Sequence, residues 1–360
     1  MEVIGIIAEY NPFHNGHIYQ IEEIKKKYND SLIIVILSNY FTQRGEMSVL
    51  TKEDKVKLAL DNNIDIVLEL PSIYATQSSD IFAYNAIKIL NEFNITKLCF
   101  GSESNDLEKL NSIVKLQEDE NFNDKLKEQL NKGISYPNAL KNILNIDFDY
   151  LPNDILAISY IKAINKINKN IKPFLIKRTN DYHDTLSNDN IISALNIRNK
   201  FNNNEDIKKY TPSYNYIKHI NYDLYFKLLK VKILTSNNID EYVDVNEGIE
   251  NRLKKYICDA NNLKEYIELI KTKRYSYNKI NRMLLHILLD FKKEDNKSYD
   301  SIKILGFNTK GQDYLNKLNK TFEVNPFIKD FEYKTSLIYD TINNLNTSLF
   351  EIKNKPIKKD

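Results

Sequence analysis

Four short, continuously apolar runs alternate with helical periodicity over the first hundred residues, and that alternation leaves little choice of fold. The runs are Val3–Ile7, Leu32–Leu37, Ile64–Leu70 (closed by Pro71) and Lys97–Phe100, which leads into Gly101. Between them the pattern predicts helices over Gly16–Tyr28, Thr51–Asp61 and Ser79–Phe93, the second capped by Thr51 with Asp54 three residues on. A strand that is apolar at every position must be covered on both faces, and strands alternating with helices pair in parallel. The expectation is a Rossmann-like α/β domain with a parallel sheet and with any ligand at the carboxyl ends of its strands. Residues 106–145 read as polar helix, Asp154–Ile167 and Ile191–Phe201 as helices, and Lys172–Ile176 as a further strand. Beyond about residue 205 strand signals fade, and helices rich in Lys, Tyr and Leu follow, such as Asn262–Ile270 and Ile280–Phe291. A chain of 360 residues has room for two domains. We expect a catalytic α/β domain over residues 1–204 and a mainly helical, basic domain over 205–360, divided at Asn202-Asn203-Asn204.

Charge separates the same halves. Residues 1–150 hold 15 Lys/Arg against 23 Asp/Glu, a net of −8, and residues 151–360 hold 36 against 26, a net of +10. A basic second half suits a polyanionic partner, or simply carries lysine on solvated faces. The only two cysteines, Cys99 and Cys258, have no neighbouring Cys/His cluster, which argues against a disulfide framework or a zinc site and fits a reducing compartment. No basic stretch precedes the first apolar run, and no run approaches the ~18 residues of a membrane span. A cytoplasmic protein without membrane association is expected.

The most informative stretch is Gly5-Ile6-Ile7-Ala8-Glu9-Tyr10-Asn11-Pro12-Phe13-His14-Asn15-Gly16-His17, where a strand enters a proline-containing turn and His-x-Gly-His opens a helix. Helix amino termini attract phosphate through unpaired N–H groups and the positive end of the dipole. Two imidazoles placed there can donate hydrogen bonds to the α-phosphate of a nucleoside triphosphate as charge develops during attack. His14 and His17 are therefore the candidate catalytic residues, and Gly16 leaves space for adenine and ribose against the backbone. Positioning and electrostatics suffice, without a covalent enzyme intermediate. A second signal, Ile192-Ser193-Ala194-Leu195-Asn196-Ile197-Arg198, resembles the Ile-Ser-x-x-x-Ile-Arg turn of nucleotidyltransferases that carry the first motif, which implies a helix terminus at Ser193 and an arginine, Arg198, for the β- and γ-phosphates; otherwise Arg198 is an ordinary surface residue. Lys177-Arg178 at a strand end is either a phosphate clamp or a solvated terminus.

With these stretches in view, the sequence resembles the bacterial tRNA(Met) cytidine acetate ligases, members of the HIGH-type nucleotidyltransferases, along nearly its whole length. The likeness is carried by Glu9–His17, Thr42-Gln43-Arg44-Gly45-Glu46, Glu69-Leu70-Pro71, Phe100-Gly101-Ser102-Glu103, Leu151-Pro152-Asn153-Asp154, Ile176-Lys177-Arg178, Tyr182-His183-Asp184 and Ser193–Arg198. In the second half it is carried by Glu247–Leu253, Thr272-Lys273-Arg274-Tyr275 and Leu305-Gly306-Phe307, which generic adenylyltransferases lack. The resemblance implies that acetate attacks ATP to give acetyl-adenylate and pyrophosphate. The exocyclic amine of the wobble cytidine of elongator tRNA(Met) then takes the acetyl group, giving N4-acetylcytidine and AMP. It implies ATP contacts at Ile7, Ala8, Glu9, Tyr10, Asn11, Pro12, Phe13, His14, Asn15, Gly16, His17, Gln20, Gly101, Asn153 and Arg178, beside Ser193 and Arg198. Asn153 could equally cap the helix that follows it. One departure is Leu195, where relatives often carry a hydroxyl residue. Magnesium would accompany ATP, but no carboxylate cluster names its ligands, and no protein partner is implied.

Lys271-Thr272-Lys273-Arg274-Tyr275-Ser276-Tyr277-Asn278-Lys279-Ile280-Asn281-Arg282 carries five basic residues, no acidic one and two tyrosines. Lys271, Lys273, Arg274, Lys279 and Arg282 would bind phosphates and Tyr275 would stack on an unpaired base, or the segment is a solvated helix start whose tyrosines pack inward. Gln43, Arg44 and Glu46 are expected to close over the acetate or the adenylate, and His183 is either a base for the cytidine amine or an ordered loop histidine. Competing readings are a small-molecule adenylyltransferase of the same superfamily and an RNA-binding protein with a relic nucleotide site.

Overall fold

A computed structural model describes residues 1–134, 136–144, 151–177 and 190–360. Arg178 and Tyr182-His183-Asp184, singled out in the sequence, lie outside the described residues. The apolar runs form strands β1 (Val3–Ala8), β2 (Leu32–Ser38), β3 (Ile66–Leu70), β4 (Lys97–Ser102) and β5 (Lys172–Lys177). These pair in parallel, and the sheet runs β5-β4-β1-β2-β3 before two strands from the far end of the chain, β6 (Ile304–Asn308) and β7 (Ile357–Lys359). β6 runs antiparallel to β3, and β7 parallel to β6.

Every residue of β2 is buried, because the sheet is clothed on both sides. Ile33, Val35 and Leu37 face a layer that includes Ile21 and Ile24 of the helix Asn15–Lys27, Val56 and Ala59 of the helix Lys52–Asp61, and Ile197. Leu32, Ile34 and Ile36 face the opposite layer, with Phe82 and Ala86 of the helix Ser79–Asn91 and Ala157 and Ile161 of the helix Pro152–Ile167. The Thr51 cap forms as its sequence suggests, its Oγ accepting from Asp54 N at 3.1 Å.

The sequence reading let strands end at residue 176, yet the chain beyond 205 does not stay apart from the sheet. Residues 222–288 supply the helices Tyr222–Thr235, Ile249–Tyr256, Leu263–Ile270 and Tyr277–Leu288, and then residues 304–308 and 357–359 return to the sheet edge. A buried ionic cluster fastens that return. Lys52 Nζ lies 2.6 Å from Glu69 of β3 and also pairs with Glu351, which Lys303 meets at 2.7 Å. Glu332 accepts from Ser72 N at 2.5 Å and from Asn39 Nδ2 at 2.7 Å. Burial would raise the Glu351 carboxyl, but Lys52 and Lys303 outweigh it and hold it at about 2. Burial and the neighbouring Glu69 push Glu332 up to about 7. The Glu69-Leu70-Pro71 motif is thus an anchor for the C-terminal helices Pro326–Asn343 and Ser348–Lys353.

Candidate active site

Sheet order reverses at β1, which lies between β4 and β2, and the crevice at such a point is where α/β sheets bind ligands. A cleft of about 760 Å³ opens there, lined among others by Ile7, Ala8, Glu9, Tyr10 and Asn11 from the end of β1. His14, Gly16, His17 and Gln20 line it from the first helix, Gly101 and Asn153 from one flank, and Ser193 and Arg198 from another. Pro12, Phe13 and Asn15 are not among the lining residues, although the sequence reading grouped them with the others. Phe13 is fully buried beneath the turn, and Asn15 Nδ2 donates to Asn190 O (2.7 Å) and Lys209 O (2.9 Å).

The two histidines cap their own helix. Gly16 N donates to His14 Nδ1 at 3.0 Å, and His14 N donates to His17 Nδ1 at 3.1 Å, a reciprocal capping box built from imidazoles. Because Nδ1 accepts in both rings, the proton of each neutral imidazole sits on Nε2. The ring centroids are 4.0 Å apart, and His17 packs against Tyr10 (4.7 Å) and Phe13 (5.5 Å). Tyr10 holds the turn with a φ of +46°, a left-handed conformation that aromatic residues rarely adopt. A Cβ on Gly16 would lie 2.7 Å from His14 Cε1 and 2.9 Å from its Nδ1, so the glycine is required by the histidine ring and not only by a ligand.

The turn is held from beneath. Asn11 Oδ1 accepts from Val49 N at 2.8 Å, and Phe13 O accepts from Ser213 Oγ at 2.8 Å and from Thr211 Oγ1. Arg198 donates through one terminal nitrogen to Asn11 O (2.7 Å) and through the other to Glu46 (2.9 Å), tying the turn to the Gln43–Glu46 loop. Ser193 caps the helix Ala194–Asn202, its Oγ accepting from Asn196 N at 3.2 Å.

Two further motifs form one reciprocal lock. Glu103 accepts from Asn153 Nδ2 (2.5 Å) and Asp154 N (2.9 Å), while Asp154 accepts from Ser102 Oγ (2.6 Å) and Glu103 N (3.1 Å). This joins the carboxyl end of β4 to the start of the helix Pro152–Ile167 and sets Gly101 and Asn153 on one wall of the cleft.

Gln43, Arg44 and Glu46 line the cleft from the loop after β2. Gln43 N donates to Glu9 Oε1 at 2.6 Å, and burial raises the Glu9 carboxyl above the usual range. Nearby, burial drops the Lys55 ammonium to about 7, against the pull of Glu9; its Nζ donates to Ser38 O and Asn39 O at 3.0 and 2.7 Å. Sequence reading missed the buried Lys55, since a lysine in a helical pattern reads as solvated. It also missed Ser79, Phe82 and Tyr160 on the cleft wall, which carry no local signal. Among the described residues, no group of three His, Cys, Asp or Glu side chains could hold a metal ion.

The basic segment divides. Lys273 and Arg274 are exposed, with Glu247 3.8 Å from the Arg274 guanidinium. Lys271 and Lys279 lie over the rings of Tyr277 and Tyr275, at 4.7 and 4.4 Å. Tyr275 was expected to stack on a base; instead it is buried with its hydroxyl donating to Asn246 O at 2.7 Å, and Tyr277 is the exposed ring. Arg282 turns inward and lines the cleft with Ser276 and Asn278. No helix among the described residues is long and apolar enough to cross a membrane.

Residues 1–357 match the family model described as HIGH Nucleotidyl Transferase. The tRNA(Met) cytidine acetate ligase of Clostridium tetani is 37% identical over 99% of this chain and 97% of that one. Its namesake in Mycoplasma mobile is 40% identical over 81% and 99% of the two chains. Among solved structures, Thermotoga maritima TmcAL in its apo form superposes with a TM-score of 0.87 at 26% identity, covering 99% of both chains. The same protein bound with alpha-thio ATP gives 0.85 over the full length of both.

Proposed function

Because this chain belongs to the HIGH nucleotidyl transferases and, within them, to the tRNA(Met) cytidine acetate ligase family, we propose that it activates acetate with ATP and acetylates the wobble cytidine of elongator tRNA(Met). The observation that carries the chemistry is the histidine capping box at the mouth of the cleft, with both Nδ1 atoms accepting and both ring protons on Nε2. An acetate oxygen bonds to the α-phosphorus while the bond to the β-phosphate oxygen breaks, giving acetyl-adenylate and pyrophosphate. The Nε2–H groups of His14 and His17 donate to the α-phosphate as charge accumulates there, and the helix terminus adds its dipole. The cytidine N4 amine then bonds to the acetyl carbon, the bond to AMP breaks, and the amine gives up one proton. Activation is needed because a ring-conjugated amine is a weak nucleophile and free acetate a weak acyl donor.

ATP lies along the β1 end, the first helix, Gly101, Asn153 and Ser193, with Arg178 in the same set. Magnesium would accompany the triphosphate and offset its charge; among the described residues no carboxylate cluster names its protein ligands. Nucleotide chemistry is assigned chiefly to residues 1–204, whose sheet is completed by 304–308 and 357–359, and RNA capture to the helical part of 205–360, with Lys273 and Arg274 presenting exposed charge to phosphates. We assign the protein to the cytoplasm, the compartment that supplies ATP, acetate and tRNA together. The relatives' shared name favours this reading over a small-molecule adenylyltransferase. The test is acetate-dependent exchange of labelled pyrophosphate into ATP without RNA, followed by AMP release on adding tRNA. Exchange driven by a phosphorylated metabolite but not by acetate would overturn the proposal.

A further inference from the structure

The basic segment enters the catalytic cleft through one face of a helix. Asn278 and Arg282 lie one turn apart on the helix Tyr277–Leu288, and both line the cleft with Ser276, the cap of that helix. The preceding Lys273 and Arg274 are exposed at the surface. An RNA strand held at Lys273 and Arg274 would therefore send an extruded base past Asn278 and Arg282. Gly45, in the loop that carries Gln43, Arg44 and Glu46, closes against the same turn: a Cβ there would lie 2.5 Å from Arg282 N.

Arg282 is an unusual arginine for a phosphate contact. Its side chain is only 11% exposed, Asp244 Oδ2 stands 3.6 Å from its Nε, and that Nε is buried without a hydrogen-bond acceptor. Asp244 also faces His286 Nδ1 at 3.5 Å, and His286 is held at its other nitrogen by Thr76 O at 3.0 Å. The guanidinium is thus steered by a half-buried carboxylate, whose Oδ2 faces it, and set on a cleft wall.

We infer that Arg282, oriented by Asp244, is the specificity-determining residue that reads the target base, donating to the acceptor edge (O2 and N3) of an extruded cytosine in the cleft. Cytosine presents two adjacent acceptors beside its N4 amine, and a planar guanidinium fork matches them. Uracil carries N3–H at that position and would meet the fork donor to donor. Held by O2 and N3, the ring leaves N4 at the edge nearest the acyl group. This rests on the ligase reading above.

The test compares Arg282→Ala, Arg282→Lys and Asp244→Asn with the unaltered protein in three assays. These are acetate-dependent pyrophosphate exchange, salt-dependent tRNA binding, and single-turnover acetyl transfer to tRNA carrying cytidine or 3-deazacytidine at the wobble position. 3-Deazacytidine keeps the amine and lacks the N3 acceptor. The unaltered protein should transfer to it about 10- to 100-fold more slowly than to cytidine, the range for losing a charge-assisted hydrogen bond. Arg282→Ala should lose that discrimination, and its transfer should fall at least tenfold further than its exchange does. Asp244→Asn should weaken discrimination with Arg282 still present. If Arg282→Ala folds poorly, the analogue experiment on the unaltered protein still decides. Equal transfer to both bases would overturn the inference, as would loss of exchange matching loss of transfer, or a salt slope shallower by one phosphate contact. Absence of transfer by the unaltered protein to any tRNA would overturn the ligase reading, and the inference with it.

Discussion

Replacing His14 by Asn separates the two jobs its imidazole performs. As a cap, His14 accepts one hydrogen bond from Gly16 N at 3.0 Å, and asparagine is among the best residues for that task. The exchange of caps should cost the folded state no more than about 0.5 kcal/mol, to which the lost packing of the His14 ring on His17 adds. As a donor to the α-phosphate, the Nε2–H vanishes, because the shorter asparagine cannot place an N–H where the far side of the ring stood. Removing one preorganised donor from a site of developing charge costs about 10²–10³-fold in rate, or roughly 3–4 kcal/mol. His14→Asn should melt near the parent temperature, and its acetate-dependent pyrophosphate exchange should fall about a hundredfold or more. Gly16→Ala should approach the same defect by another route, since its Cβ would sit 2.7 Å from His14 Cε1 and push the ring aside. Exchange within about threefold of the parent in a stably folded His14→Asn protein would refute the donor role, being far smaller than the loss expected for such a donor.

Other substitutions probe other links. Lys273→Ala with Arg274→Ala should weaken tRNA binding and reduce the log–log salt slope by about 1.4–1.8, two phosphate contacts' worth, as read from a salt titration; an unchanged slope would count against this surface. Gly45→Ala combines a φ of +77° with a Cβ 2.5 Å from Arg282 N, and should cost at least about 2 kcal/mol by denaturant titration. Glu351→Gln leaves Lys52 and Lys303 with one carboxylate fewer and should cost roughly 3–5 kcal/mol near neutral pH. The Glu351 carboxyl is lowered from 4.5 to about 2, so its contribution is present above pH 4.5 and lost as pH falls toward 2. The stability gap between parent and variant should close over that window, and a gap independent of pH would show that the charge is not its source.

What the sequence disclosed follows from how local each signal is. Leu32–Ser38 is apolar throughout because both faces are covered, and Thr51 sits beside its own helix, so each could be read from neighbours in the chain. The histidine motif was legible for the same reason: His14, Gly16 and His17 satisfy one another within a single turn. β6 and β7 were not, since a five-residue strand containing Gly306 and a three-residue Ile-Lys-Lys strand exist only by pairing with a sheet made elsewhere. Lys52 and Lys55 read as solvated helix residues, yet both are buried, their partners lying 16 or more residues away or, for Glu351, at the far end of the chain. Tyr275 and Tyr277 are indistinguishable as letters; only the fold shows that the first is packed and the second exposed.

The central claim is tested most directly by incubating the protein with ATP, isotope-labelled acetate and bulk tRNA, digesting the RNA, and reading modified nucleosides by mass. The account predicts labelled N4-acetylcytidine that requires both ATP and acetate, confined to the wobble position of elongator tRNA(Met) and abolished in His14→Ala and His17→Ala. ATP cleaved to AMP with no acetylated cytidine would contradict the assignment of acetyl acceptor while leaving the nucleotidyl chemistry, and ATP left untouched in the presence of that tRNA would contradict both.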